Sequence, residues 1–444
     1  MTDVTHGAAT CVRVPAASEN RRRLSVPRCV ARIRMTTLGI VAISLGAPEL
    51  RAQDRLVGTR FLGAGASYES ITFGGSGLTQ AGFGGLDSAR ITGVRQFTTP
   101  VTFASPIGRG WRLDVTSLYS VGSVEYKDAS GAGDSRSVSL SGFSDVRMRA
   151  SGRVLQDGLI ITIGANLPTG RTALTSTEFN TLRVLSSPAL GLGSTPVGSG
   201  PSGTFGLVVP TQAAGWSVAL GGSYEIRGRY QPIASLAAGS ASAYFTPGGV
   251  MRASITGDRT LGPHRLTLAM AADVFTRDKL RSDVKSDVAG SPSTLNVATV
   301  QLGPVFSADA QMQLAVPAVR EMLAYTSYRW RAPFARDGIT VDRSSGHYVE
   351  SGARASVALA SGRDVVVSAD ARWHSGLGVD LGLPTSGVVS GAFSVGLNLR
   401  RNLAALQPYL RAEAGSLSQR SATGANPSRS FTGGSAGVVL STRF

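Results

Sequence analysis

The sequence predicts an all-β protein, a closed antiparallel transmembrane β-barrel of about sixteen strands, with fourteen as the alternative count. Three observations predict it. Apolar and polar residues alternate with period two in runs of about ten residues or more. Short turns and long loops alternate along the chain, as in outer-membrane barrels. Charged residues are only 16% of the chain, against roughly 25% in ordinary soluble proteins. Past the N-terminal region no apolar stretch reaches the roughly 18 residues that a membrane-spanning helix needs. The low charge also argues against disorder. The composition fits the same class: 55 glycines, with Lys127, Lys279 and Lys285 the only lysines.

The first element in chain order is a leader. Residues 36–47 form a twelve-residue apolar run preceded by Arg32 and Arg34 and followed by Leu50-Arg-Ala52. A basic start, a short apolar centre and a small-residue exit define a secretory signal peptide. Residues 1–52 are therefore expected to be removed, leaving 53–444 as the barrel. Eight basic and three acidic residues leave with the leader, so the net charge falls from +16 to +11. Cys11 and Cys29 leave too, so neither disulfides nor thiolate metal sites are expected in the mature chain.

The strands follow. Alternation places them at 56–68, 90–104, 111–125, 140–154, 158–168, 203–212, 215–228, 246–259, 264–277, 293–307, 312–331, 347–360, 364–375, 387–400, 405–417 and 431–444. In 158–168, for example, Leu159, Ile161, Ile163, Ala165 and Leu167 oppose Thr162, Gly164 and Asn166. Strands of a soluble sandwich average about five or six residues, whereas a tilted strand needs about ten to cross a bilayer. Short turns fall near 106–110, 155–157, 213–215, 261–263, 361–363 and 401–404, and long polar or glycine-rich loops lie between them. Trp111 and Trp216 each open a strand after a short turn, while Trp330 and Trp373 lie near strand ends entering long loops. All four are expected in the aromatic girdles at the membrane interfaces. Phe444 closes an alternating C-terminal strand and resembles the assembly signal of outer-membrane barrels.

The lumen face carries the chemistry. By parity Arg147, Arg149, Arg153, Arg354 and Arg372 point inward, as do Glu350, Asp370 and His374. A three-residue turn would set Arg354 against Asp370 and Glu350 against His374. These charges read either as a solute-filtering constriction or as mutual neutralisation that braces the wall; the second reading is preferred. His374 with Glu350 has no nucleophile motif beside it, so the protein is not expected to be an enzyme. No phosphate-binding loop, metal-ligand spacing or calcium-loop series occurs, so no metal or cofactor is expected. Neither a basic helix nor an aromatic–basic stripe supports nucleic-acid binding. The expected partners are outer-membrane lipids and lipopolysaccharide, the barrel-assembly machinery and a small-molecule solute. The oligomeric state is left open.

The third outer loop, residues 169–202, holds Leu182, Val184, Leu185, Leu190 and Leu192. So much apolar surface is costly in water, so the loop is expected to fold into the barrel mouth and act as a gate; packing on neighbouring loops or lipopolysaccharide is the alternative.

Four pieces recur in a fixed order: Gly142-Phe-Ser-Asp145-Val, Asn166-Leu-Pro-Thr-Gly170-Arg, Leu190-Gly-Leu-Gly193-Ser, and Gly215-Trp216 through Tyr224. In this the chain resembles the outer-membrane transporters of the phenol meta-cleavage-pathway group, related to the long-chain fatty-acid transporter (FadL-like) family. The resemblance implies passive uptake of hydrophobic small molecules through a barrel plugged by an N-terminal hatch. The mature start, from Asp54, lacks the hatch motif and reads as a strand. The expected function is thus an outer-membrane channel or transporter for small, hydrophobic, aromatic or fatty-acid-like solutes. A general diffusion porin and a structural or adhesion barrel are the alternatives.

Overall fold

A computed structural model describes residues 60–443, except 76, 109, 132, 156–157, 193–196, 234–242, 285–293, 343, 361, 376–382, 384 and 420–426. The expected leader and Phe444 lie outside the described residues.

Sixteen staves form one closed antiparallel barrel. They are Phe61–Phe73, Leu86–Pro106, Trp111–Asp128, Arg136–Phe143 continued by Val146–Val154, Leu159–Leu167, Ser202–Ala213, Trp216–Arg227, Val250–Leu261, His264–Phe275, Val305–Leu314, Glu321–Arg331, Gly346–Ala360, Arg363–Ser375, Thr385–Arg401, Ala404–Gln419 and Ser428–Arg443. Each stave pairs with its chain neighbours. The last closes on the first, from Phe61 opposite Arg443 to Phe73 opposite Phe431. Closure leaves the wall no edge strand, so its backbone groups can pair within the protein.

The alternation has the physical meaning expected of a membrane barrel. Large apolar side chains stand outward and uncovered, among them Phe143 at 58%, Met270 at 58% and Leu410 at 67% exposure. Phe97, Phe205, Leu220, Ile255, Val389 and Phe393 belong to the same outer band. A water-soluble monomer does not carry so continuous an apolar exterior; a bilayer solvates it. The short turns use mirror-image geometry matched to strand twist: Ala214 (φ +50°) and Gly215 (φ +78°) join two staves in a two-residue turn.

Above the staves a second, six-stranded sheet continues several of them: Tyr230–Ile233, Ala243–Thr246, Asp278–Val284, Thr294–Gln301, Ala335–Arg336 and Ile339–Thr340. The breaks fall at Gly228-Arg229, Pro247-Gly-Gly249, Thr276-Arg277, Leu302-Gly-Pro304 and Ala332-Pro-Phe334. Most carry proline or glycine, and proline cannot donate to a ladder.

Three expectations need correction. The first stave runs Phe61–Phe73 rather than 56–68. The 293–331 region divides differently. Thr294–Gln301 belongs to the upper sheet, Val305–Leu314 is a stave, and the turn lies at 315–320, where Ala318 (φ +66°) follows Pro317. Alternation through Ser307–Leu314 continues past the expected break, and Pro317 marks the true one. In the hairpin of Gly346–Ala360 and Arg363–Ser375, Ala360 faces Arg363 rather than Asp364, and an irregularity between Ala358 and Ala360 shifts the register by one more residue. Arg354 therefore faces Ser368, Glu350 faces Arg372, and Tyr348 faces His374.

Candidate functional site

The site is the upper lumen, shaped by residues 169–192 and 197–202. Its anchor is a bulge. Between Phe143 and Val146 the wall strand takes one extra residue against the facing stave. The Ser144 N–H donates to the Leu118 carbonyl at 2.7 Å, and the Leu118 N–H donates to Ser144 Oγ at 3.1 Å. The extra residue flips parity and turns Asp145 inward, where it is buried. Its carboxylate accepts from the Gly170 N–H at 2.9 Å, the Ser199 N–H at 2.7 Å, Ser199 Oγ at 3.3 Å and Asn166 Nδ2 at 3.0 Å. Asn166 Nδ2 also donates to the Gly200 carbonyl at 2.8 Å. One carboxylate thus ties the outgoing and returning ends of the loop together.

Within the loop, helix α1 (Ser176–Leu185) starts at a reciprocal cap. The Glu178 N–H donates to Thr175 Oγ1 at 3.2 Å, and the Thr175 N–H donates to the Glu178 carboxylate at 2.9 Å. That backbone donor, with Arg171 at 2.8 Å, outweighs desolvation and holds the Glu178 carboxyl below the usual glutamate range.

The loop lies against the inner wall. Val184, Leu185 and Leu190 are buried, and Leu182 and Leu192 are partly buried against the same cluster. Their partners in the cluster are wall residues, including Ile71, Phe73, Val94, Val124, Leu140, Leu417 and Phe431. Gly122 admits this approach: a Cβ there would come within 2.4 Å of Leu185 Cδ1. Asn180 Nδ2 donates to the Gly82 carbonyl at 3.0 Å, and the Leu174 N–H donates to the Pro232 carbonyl at 3.2 Å. Burial is worth roughly 1.5–3 kcal/mol for each fully covered aliphatic side chain. Val184, Leu185 and Leu190 together contribute roughly 5–9 kcal/mol against the entropy of ordering the loop.

Lumen charges pair extensively. Arg372 meets Glu413 at 3.0 Å and Arg411 meets Asp370 at 2.6 Å. Arg112–Asp114, Arg252–Asp273 and Arg265–Asp258 pair at 2.6–2.9 Å. Glu350 accepts from Tyr348 and, at 3.3 Å, from Tyr325. His374 is buried beside Tyr348, with ring centroids 5.7 Å apart. No hydrogen bond links it to Glu350, so the acid–histidine pair considered from sequence does not assemble. Arg372 also reaches the loop, donating to the Ala189 carbonyl at 3.4 Å.

Two cavities flank the loop. The larger, about 870 Å³, is bounded by Arg147, Arg149, Asn166, Thr204, Tyr230 and Phe245, among others. The smaller, about 290 Å³, lies between Leu190–Leu192 and Tyr348, Arg372, Arg411 and Glu413. The role of Asp145 as a clamp, and of Tyr230 and Phe245 as cavity walls, was not legible from spacing. Inward parity at Asp145 was the one usable sign.

Trp111 and Trp216 open their staves, and Trp330 and Trp373 lie near the ends of theirs. Trp216 carries the Arg259 guanidinium 5.8 Å from its ring, and Trp111 lies over Gly152. At the opposite end Trp330 stacks on Phe306 at 5.5 Å, and Trp373 stacks on His347 at 6.5 Å. His347 in turn bonds Tyr328 at 2.9 Å, extending an outward aromatic row.

No protein-family model and no curated protein matches the chain. Among solved structures it is similar to OprB of Pseudomonas putida, with 10% identity over 89% of this chain and 96% of that one, TM-score 0.41. OmpT of Vibrio cholerae shares 9% identity over 87% and 98%, TM-score 0.35. The COG4313 outer membrane channel of Pseudomonas putida F1 shares 10% over 87% and 96%, TM-score 0.34.

Proposed function

We propose that the protein is a passive outer-membrane channel for small solutes, with access set by residues 169–202 folded into the lumen. The observation that carries this reading is the placement of α1 and Leu190 against the inner wall, clamped by Asp145, with a solvent-sized chamber left beside them. An apolar exterior places the staves in lipid, and a polar interior gives a path for solute. The ion pairs Arg372–Glu413 and Arg411–Asp370 brace the narrowed wall and cancel much of its charge. Tyr230 and Phe245, edge to face at 5.6 Å, put aromatic surface beside the chamber, which supports cargo with an aromatic or otherwise apolar body. Resemblance to the phenol meta-cleavage group supports the same cargo.

A second reading, a general diffusion porin, is favoured by the polar chamber lining. The two separate in planar bilayers and proteoliposomes. The gated reading expects small unitary conductance in the intact chain and a several-fold rise on deleting residues 178–196. Large, steady conductance in the intact chain, unchanged by the deletion, would support the porin instead.

A further inference from the structure

We propose that the larger cavity holds a binding site for a small hydroxylated carboxylate, received by Arg147 and Arg149. The proposal rests on the channel reading above and names the class of solute that the chamber takes. Five lumen arginines are paired with acids, whereas Arg147 and Arg149 have neither an ion pair nor a hydrogen bond among the described residues.

Both point into the same cavity. They are two residues apart on one stave, so their anchors stand about 7 Å apart on the same face. Register gives each a different neighbour: Arg147 lies opposite Asn166, and Arg149 opposite Gly164, which leaves its guanidinium room. A planar guanidinium receives a carboxylate through two parallel N–H donors. On its other side Arg149 lies opposite Asp114, whose carboxylate is held by Arg112 at 2.9 Å, and Glu225 in the cavity wall is paired with Arg227 at 3.2 Å, so neither acid takes up the donors of Arg147 and Arg149.

A second, independent observation is the orphaned acceptor beside them. Asn166 is buried, its Nδ2 is spent on the clamp, and its Oδ1 has no partner. A buried acceptor left unpaired is costly, and a ligand hydroxyl donating to it removes that cost. Tyr230 and Phe245 close the chamber with aromatic surface. The complementary ligand therefore has a carboxylate, a hydroxyl donor and a compact body.

The test is isothermal titration of the purified full chain in detergent with 4-hydroxybenzoate, beside its neutral counterpart 4-hydroxybenzyl alcohol. We expect saturable binding of the acid, at least tenfold weaker binding of the alcohol, and a tenfold or greater loss in R147Q/R149Q. R147K/R149K should recover part of the loss, and unchanged heat-modifiable migration on a gel verifies that each variant is folded. Inorganic phosphate as competitor separates carboxylate recognition from general anion binding: displacement at equal concentration overturns the carboxylate assignment. Equal affinity in intact and R147Q/R149Q protein, or no saturable binding of the acid, overturns the site. Binding is read without transport, so a chain that binds the acid yet passes no solute would overturn the channel reading and leave the site standing.

Discussion

Replacing Asp145 by alanine should release the loop from the lumen. The carboxylate accepts four hydrogen bonds at 2.7–3.3 Å, two of them from the backbone N–H groups of Gly170 and Ser199. Hydrogen bonds to a charged group contribute about 1.5–3 kcal/mol each, and a buried donor left without its acceptor costs about 1–3 kcal/mol. The bonds share one carboxylate and are not additive. Taking the two backbone bonds as the irreducible part, the held state loses about 3–5 kcal/mol relative to a released one. Tenfold corresponds to about 1.4 kcal/mol, so the released-to-held ratio rises by roughly two to three and a half orders of magnitude. The assay is limited trypsin digestion of outer-membrane vesicles, because the loop carries Arg171 and Arg183. Intact protein should resist cleavage there, Asp145→Ala should be cut, and Asp145→Asn, which keeps one acceptor oxygen, should fall between. Equal resistance in all three, with unchanged single-channel conductance, would refute the clamp.

Leu185→Ala removes a fully buried side chain at the contact with Gly122; about 2–5 kcal/mol of loop packing is lost, seen as larger conductance fluctuations in bilayers. Thr175→Ala breaks the reciprocal cap of α1 at a cost of about 1 kcal/mol, measured as faster amide hydrogen exchange across residues 176–180. The Glu178 carboxyl is held below its ordinary range in the folded loop. Its contribution is therefore full above the unfolded glutamate value and lost as pH falls through the folded one, so loop protection should drop in acid and Glu178→Gln should flatten that drop. Arg372→Ala leaves Glu413 without its 3.0 Å partner and removes the bond to the Ala189 carbonyl; reversal potentials in a salt gradient should shift toward cation preference.

Much of the fold is written in local periodicity, because a barrel wall sorts residues by a single rule, lipid outward and lumen inward. The staves from Trp111 to Arg227 follow that rule to within a few residues. Where it fails, a local backbone feature intervenes. Ala360 faces Arg363 one step earlier than expected, and the bulge before it adds a second step, so the hairpin register moves by two and Arg354, Glu350 and Asp370 keep their face but change partners. Of the upper sheet, Thr294–Gln301 was read as part of a stave, and strands such as Tyr230–Ile233 fell in expected loops because they are too short to show a period. The apolar loop was legible from Leu182 to Leu192 as surface needing cover. Its cover, Ile71, Val94, Val124 and Phe431, was not, because these chains come from staves far apart in sequence. Asp145 binds groups 25 and 54 positions away, a relation no spacing rule encodes.

The central claim is that residues 169–202 lie inside a membrane-embedded barrel. A cysteine pair, Gly122→Cys with Leu185→Cys, tests it most directly, since a Cβ on Gly122 would lie 3.3 Å from Leu185 Cγ and disulfides form at short Cβ separations. Both native cysteines precede residue 30, within the leader expected to be removed. In outer membranes treated with a mild oxidant, the account predicts a near-complete internal cross-link, read as altered gel mobility that reductant reverses, with neither single variant cross-linking. Free thiols at both positions, reactive to a membrane-impermeant maleimide added from outside, would contradict it.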